Sequence, residues 1–173
     1  GMWLFFIVEL FLVFWLSANI RRLSASAATM LFLVYSALNG VTLFSIFLVY
    51  TATSISVTFF ICAAMFAGVS LYGWVTKQDL TSVGSFCAMA IWGVLIASLV
   101  GMFFRAPAFH WILSYVGVAV FIGLTAYDTQ KLKWIHQNAQ GAADQLAILG
   151  ALALYLDFVN MFLFLLRIFG RRR

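Results

Sequence analysis

An all-α integral membrane protein, folded as a polytopic helical bundle in a single domain over residues 1–173, is predicted by three features of this chain. Of its 173 residues, 65% are hydrophobic and only 9% are charged, whereas soluble domains carry roughly 25% charged residues. The apolar residues fall into six blocks, each long enough to cross a bilayer. Within those blocks polar and apolar residues do not alternate as they do in membrane barrels. A backbone in lipid must satisfy its own polar groups, so each block is predicted to be a helix.

In chain order the predicted spans are Met2–Asn19, Ala28–Tyr50, Ile55–Val75, Val83–Phe104, Phe109–Tyr127 and Leu146–Phe169. The first lacks a positively charged start and a small-residue cleavage site, so it reads as a permanent span and not as a signal peptide. The connections are short, which makes sequence neighbours antiparallel neighbours in space. Small residues at intervals of four mark expected contact faces. They are Gly93, Ala97 and Gly101 in the fourth span, Ala64 and Gly68 in the third, and Ala143, Ala147 and Ala151 leading into the last.

The net charge of +5 is spread in short clusters between apolar blocks, a pattern of orientation signals and not of a nucleic-acid-binding face. Arg21 and Arg22, Lys77, and Lys131 and Lys133 follow the first, third and fifth spans and mark one side as cytoplasmic. The Arg171–Arg173 tail conflicts with this. Either the last segment is re-entrant or the tail is a weak signal overruled by earlier loops, and the second is preferred because early spans usually dominate. Cys62 and Cys87 lie in apolar blocks and read as small hydrophobes. His110 and His136 have no partners at metal-ligand spacing.

Five acids occur in the chain: Glu9, Asp79, Asp128, Asp144 and Asp157. Asp79 and Asp144 read as groups at helix starts. Asp128 reads either as a partner of Lys131 or as a functional acid. Asp157 stands apart. It lies near the middle of the last span with Asn160 on the same face, and Arg167 is the first basic residue after it on that helix. A charge at bilayer depth costs at least about 2.5–3.5 kcal/mol, so this helix is expected to be central, with Asp157 facing a partner or a cavity. Glu9, Asn39 and Asn160 are candidate lining residues, although Asn39 could equally bond a neighbouring helix. Arg21 and Arg22 read as headgroup contacts or as an arginine folded inward onto a carboxylate. No phosphate loop, nucleophile elbow or HExxH pattern occurs, so the chain is not expected to be an enzyme. An intramembrane aspartyl protease would carry glycine before a catalytic Asp, where this chain has Tyr127 and Leu156.

GLTAYDTQKLK at Gly123–Lys133 and LYLDFVNMFLFLLRIFG at Leu154–Gly170 resemble the Bax inhibitor (transmembrane Bax inhibitor motif) family, as do YSALNGVTLFSI and FAGVSLYGWVTKQDL between them. The resemblance runs over essentially the whole chain. It implies a seven-helix bundle with the last helix in the middle, of which six spans are visible here, the first resembling the family's second. For bacterial members it implies a pH-sensitive calcium leak of the cytoplasmic (inner) membrane, with Ca²⁺ and protons as the mobile partners and no cofactor. Two aspartates share a proton, and they fall on Asp128 and Asp157. A latching arginine falls on Arg21 or Arg22, and Glu9 matches a pore-side acid. Two carboxyl groups held close cannot both ionise cheaply and titrate as a unit, and when both are charged they suit an oxygen-seeking ion such as Ca²⁺. At 1.5 Å per residue Asp128 should lie several ångströms nearer the cytoplasmic edge than Asp157, so contact requires tilt or offset helix starts. Two other readings remain. One is an interaction protein that modulates a membrane-bound protease or a stress response, and the other is a proton-coupled transporter of a small solute.

Overall fold

The computed structural model describes residues 2–104, 106–141 and 143–173, with side chains described at Val8 and from Phe11 onward. Its helices are α1 (Met2–Asn19), α2 (Ala25–Leu43), a single turn α3 (Ile46–Val49), α4 (Ala52–Val75), α5 (Thr81–Gly101), α6 (Pro107–Asn138) and α7 (Ala143–Phe169). Five spans among the described residues are long and apolar enough to cross a membrane, with α2 and α3 counted as one.

Local chemistry sets the helix starts. The Ser24 hydroxyl accepts from the Ala27 amide at 3.2 Å and the Thr51 hydroxyl from the Ser54 amide at 3.3 Å, each satisfying an amide left free by the first turn. Pro107 opens α6, where its missing N–H costs nothing. The second predicted span is interrupted inside its apolar run. Phe44, Phe47 and Leu48 donate to carbonyls three residues back, and the Ser45 hydroxyl donates to Thr42 O at 2.9 Å. This tighter winding separates α2 from α3.

The fifth predicted span ends too early. Its helix continues from Tyr127 to Asn138, giving 32 residues and a length of about 48 Å. That exceeds a hydrocarbon core of about 30 Å. Lys131, Lys133 and His136 ride on the projecting end, and the Lys133 ammonium donates to Trp74 O at 2.7 Å, closing the end of α4. Gln130 holds the next connection, accepting from Leu80 N at 2.9 Å and donating to Gln78 O at 2.7 Å.

The expectation of a central last helix is met, and it is met by a pair. Helix α7 packs on α2, α4 and α6, while α6 packs on α4, α5 and α7. The main apolar cluster joins Cys62, Leu113, Phe121, Met161 and Leu165 across these helices. A smaller one sets Leu16 and Ile20 of α1 with Tyr35 of α2 and Leu152 of α7.

The predicted small-residue faces are seams only in part. Ala64, Gly68, Gly93, Ala147 and Ala151 are exposed, and a Cβ added at Gly68 or Gly93 would meet nothing within 4 Å. The close approaches lie elsewhere. A Cβ at Gly73 would strike the Ala126 carbonyl, one at Gly117 would lie 2.7 Å from the Phe164 ring, and one at Gly150 would lie 2.6 Å from Leu132. In the fourth-span stripe Ala97 packs against the main apolar cluster and Gly101 faces Phe109.

The tail folds back on the bundle. Thr51 N donates to Arg171 O at 3.0 Å, Arg173 N to Val49 O at 2.9 Å, and Arg171 N to the Ser54 hydroxyl at 2.9 Å. Residues 171–173 therefore share an end of the bundle with the corner between α3 and α4, opposite the loops carrying Arg21, Arg22, Lys77, Lys131 and Lys133. This is the end reached by six alternating helices, with no re-entrant last segment.

Candidate functional site

Asp157 lies in the middle of α7 with only 5% of its surface exposed, and Asp128 is half-buried on α6. The two carboxyl groups stand within hydrogen-bonding reach of each other. The contact follows from helix register and from the lean of side chains. Gly150 abuts Leu132 and Gly117 abuts Phe164, so the antiparallel register sets Asp128 opposite residues 153 and 154, about 5 Å along the axis from Asp157. Side chains tilt toward the N-terminus of their own helix. In antiparallel helices those tilts oppose, and here they carry the two acids toward each other. The offset foreseen from helix lengths is real, and this lean, with α6 extending past Tyr127, accommodates it.

The surroundings are sparse in polar partners. Asp157 Oδ2 is buried and accepts no hydrogen bond from the protein, and the Thr58 and Ser70 hydroxyl oxygens are likewise unpartnered. Thr125 and Thr129 flank Asp128 in sequence and are buried, yet their hydroxyls donate back to Phe121 O and Thr125 O, both at 2.7 Å. Lys131 is exposed and acts on Asp128 only through its field, without an ion pair. Among the described residues, no three His, Cys, Asp or Glu side chains are grouped to hold a metal. Two carboxylates offer four oxygens, short of the six to eight ligands that Ca²⁺ takes.

The other candidates are dispersed. Arg21 and Arg22 are exposed in the turn between α1 and α2, and neither forms an ion pair with Asp128 or Asp157. The Glu9 side chain lies outside the described residues. Asn160 turns back on its own helix, donating to Leu156 O at 2.8 Å. Asn39 is 8% exposed and donates to the Tyr155 hydroxyl at 3.0 Å, the helix-bonding alternative for that residue. Tyr155 was not singled out from the sequence. It ties α2 to α7 two residues before Asp157 and stands edge-on to Phe32 and Tyr35. A polar-tipped aromatic in an apolar span is the signal that would have found it. At the loop before α5, Asp79 accepts from the Thr81 amide at 3.0 Å and the Thr81 hydroxyl at 2.6 Å. These bonds hold its carboxyl below the usual range.

Comparison with known proteins agrees with this architecture. Residues 1–173 match the family described as inhibitor of apoptosis-promoting Bax1. The chain is 54% identical over 171 residues to the inner membrane protein YbhL of Escherichia coli K12, covering 96% of this chain and 73% of that one. It is 46% identical over 170 residues to an uncharacterized protein of Borreliella burgdorferi, with the same two coverages. Another relative, the uncharacterized protein RP147 of Rickettsia prowazekii, is 46% identical over 154 residues, covering 88% of this chain and 65% of its own length. With a family match along its full length and five helices long and apolar enough to cross a membrane, the chain belongs to the Bax inhibitor family and is an integral membrane protein.

Proposed function

We propose that the chain is a pH-sensitive leak for Ca²⁺, in which Asp128 and Asp157 bind and release the controlling proton. The observation that carries this reading is the meeting of two carboxyl groups from different helices inside the bundle, one with a buried and unpartnered oxygen. A satisfied structural acid would find amide or hydroxyl donors there, and this one does not. With one shared proton the pair carries a single negative charge. Releasing that proton leaves two charges, which repel each other and attract a divalent cation. The passing ion keeps part of its water, since the pair cannot complete a calcium shell. Arg21 or Arg22 serves as a latch in this scheme only if the turn after α1 moves inward, because both are exposed here.

Ca²⁺ flux into liposomes holding the purified chain tests the proposal. Flux is expected to rise with pH as the shared proton leaves. Asp157→Asn, which keeps the shape and removes the second charge, should flatten that dependence. Absence of flux above protein-free liposomes at every pH would overturn the leak. A pH profile unchanged by Asp157→Asn would remove the pair as sensor.

A further inference from the structure

The tail end of the bundle carries a second feature, remote from the aspartates. A groove of about 1050 Å³ opens between α5, the start of α6 and the end of α7, and both Arg167 and Arg172 line it. Its walls include Trp92, Leu95, Leu99 and Trp111, all exposed. No acidic residue among the described ones lines it. Arg167 stands over the Phe164 ring at 5.3 Å, an aromatic face that orients the guanidinium without neutralising it, and neither arginine is in an ion pair with a described residue. This is the end of the bundle to which the folded-back tail brings Arg171–Arg173, opposite the other basic loops.

We propose that this groove binds an anionic glycerophospholipid, its phosphate on Arg167 and Arg172 and an acyl chain along α5. Three quantities favour that occupant. The groove exceeds what a free phosphate fills and reaches the upper end of ligand cavities, about 300–1,000 Å³. The α5 wall from Trp92 to Met102 extends about 15 Å, half of a core about 30 Å thick and so the depth of one leaflet. Arginines near a helix end with tryptophan beside them occupy the level of lipid headgroups, and a guanidinium pairs with phosphate through two parallel hydrogen bonds. Unpaired cations facing apolar walls are complementary to an amphiphile with a negative head.

The test places the full chain in nanodiscs of equal phosphatidylglycerol and phosphatidylcholine, then counts the lipids retained after detergent extraction by native mass spectrometry. The wild type is expected to retain phosphatidylglycerol preferentially. Arg167→Gln with Arg172→Gln should lower that preference about tenfold, while Arg171→Gln with Arg173→Gln, outside the groove, should keep it. Leu99→Trp, an exposed position that narrows the groove without touching charge, should lower total retention and provides a reading if the arginine variant folds poorly. Equal retention of the two lipids by the wild type would overturn the proposal. Equal losses from both arginine pairs would do so too, since they would indicate diffuse attraction. Displacement of phosphatidylglycerol by millimolar inorganic phosphate would assign the arginines to a soluble anion instead.

Discussion

Helix α6 reaches its neighbours on two sides in very different ways. Toward α4 and α7 the approach is close, with Gly73 against the Ala126 backbone, Gly117 under the Phe164 ring and Gly150 against the tip of Leu132, and Asp157 is enclosed there. Toward α5 the packing is close at Gly84 and Gly123 and again at Gly101, where a Cβ would lie 2.9 Å from the Phe109 ring, but Gly93 between them faces empty space and the arginine-lined groove opens beside this helix. Lipid supplies no hydrophobic drive between helices, so contact depends on shape and on hydrogen bonds between helices. The teaching is that enclosure has been achieved where two acids must be kept from lipid, and has not been imposed where basic groups can reach the interface by themselves.

The difference can be broken by single atoms. Gly73→Ala sets a methyl against the Ala126 carbonyl, part of a backbone that cannot swing aside, and should destabilise the bundle by about 1–3 kcal/mol. Gly93→Ala adds the same methyl to open space and should be neutral or stabilising by up to about 1 kcal/mol through helix propensity. Thermal unfolding of both in one detergent compares them, and equal losses would erase the contrast. Tyr155→Phe should cost about 1–3 kcal/mol by leaving the buried Asn39 amide unpaired, while Asn39→Ala, which leaves only a half-buried hydroxyl, should cost less. If the two were equal, the bond would contribute through ring packing alone.

The smallest effect sharpens the boundary with water. Asp79 is fully exposed, and its carboxyl is held low by the Thr81 hydroxyl and then by the Thr81 amide. Because folding lowers its pKa, its contribution is present above the ordinary carboxylate range and is lost as pH falls through the folded value. Protection of the Thr81 amide from hydrogen exchange, corrected for intrinsic rate, should decline in acid and be absent at every pH in Asp79→Ala. An unchanged acid profile in that variant would detach the amide from Asp79.

Sequence revealed the helices because their apolar lengths match a bilayer, and it revealed Asp157 because a carboxyl group in such a run demands an explanation. Which way each helix faces was not legible. In lipid both faces are apolar, so a spacing of four does not say that Gly93 opens outward while Ala97 and Gly101 pack inward. The end of α6 was misplaced because hydropathy measures the membrane and not the helix, and Gln130–Asn138 continues the same backbone in water. The interruption at Phe44 and Ser45 was hidden because every residue from Val41 to Tyr50 suits the same apolar run, whatever the winding. The tie between Asn39 and Tyr155 joins residues 116 apart in sequence, beyond any local pattern.

The backward turn of the tail also has a bearing on the order of assembly. A chain is made and inserted from its N-terminus, so α6 brings Asp128 into the membrane before Asp157 exists. The acid on α6 must wait, near the interface and within the field of Lys131, until α7 arrives antiparallel beside it. Only then can Arg171 reach the hydroxyl of Ser54, a residue 117 positions earlier. Closure of that strap requires the last segment to have crossed fully, so an incompletely threaded chain lacks both the strap and the paired acids.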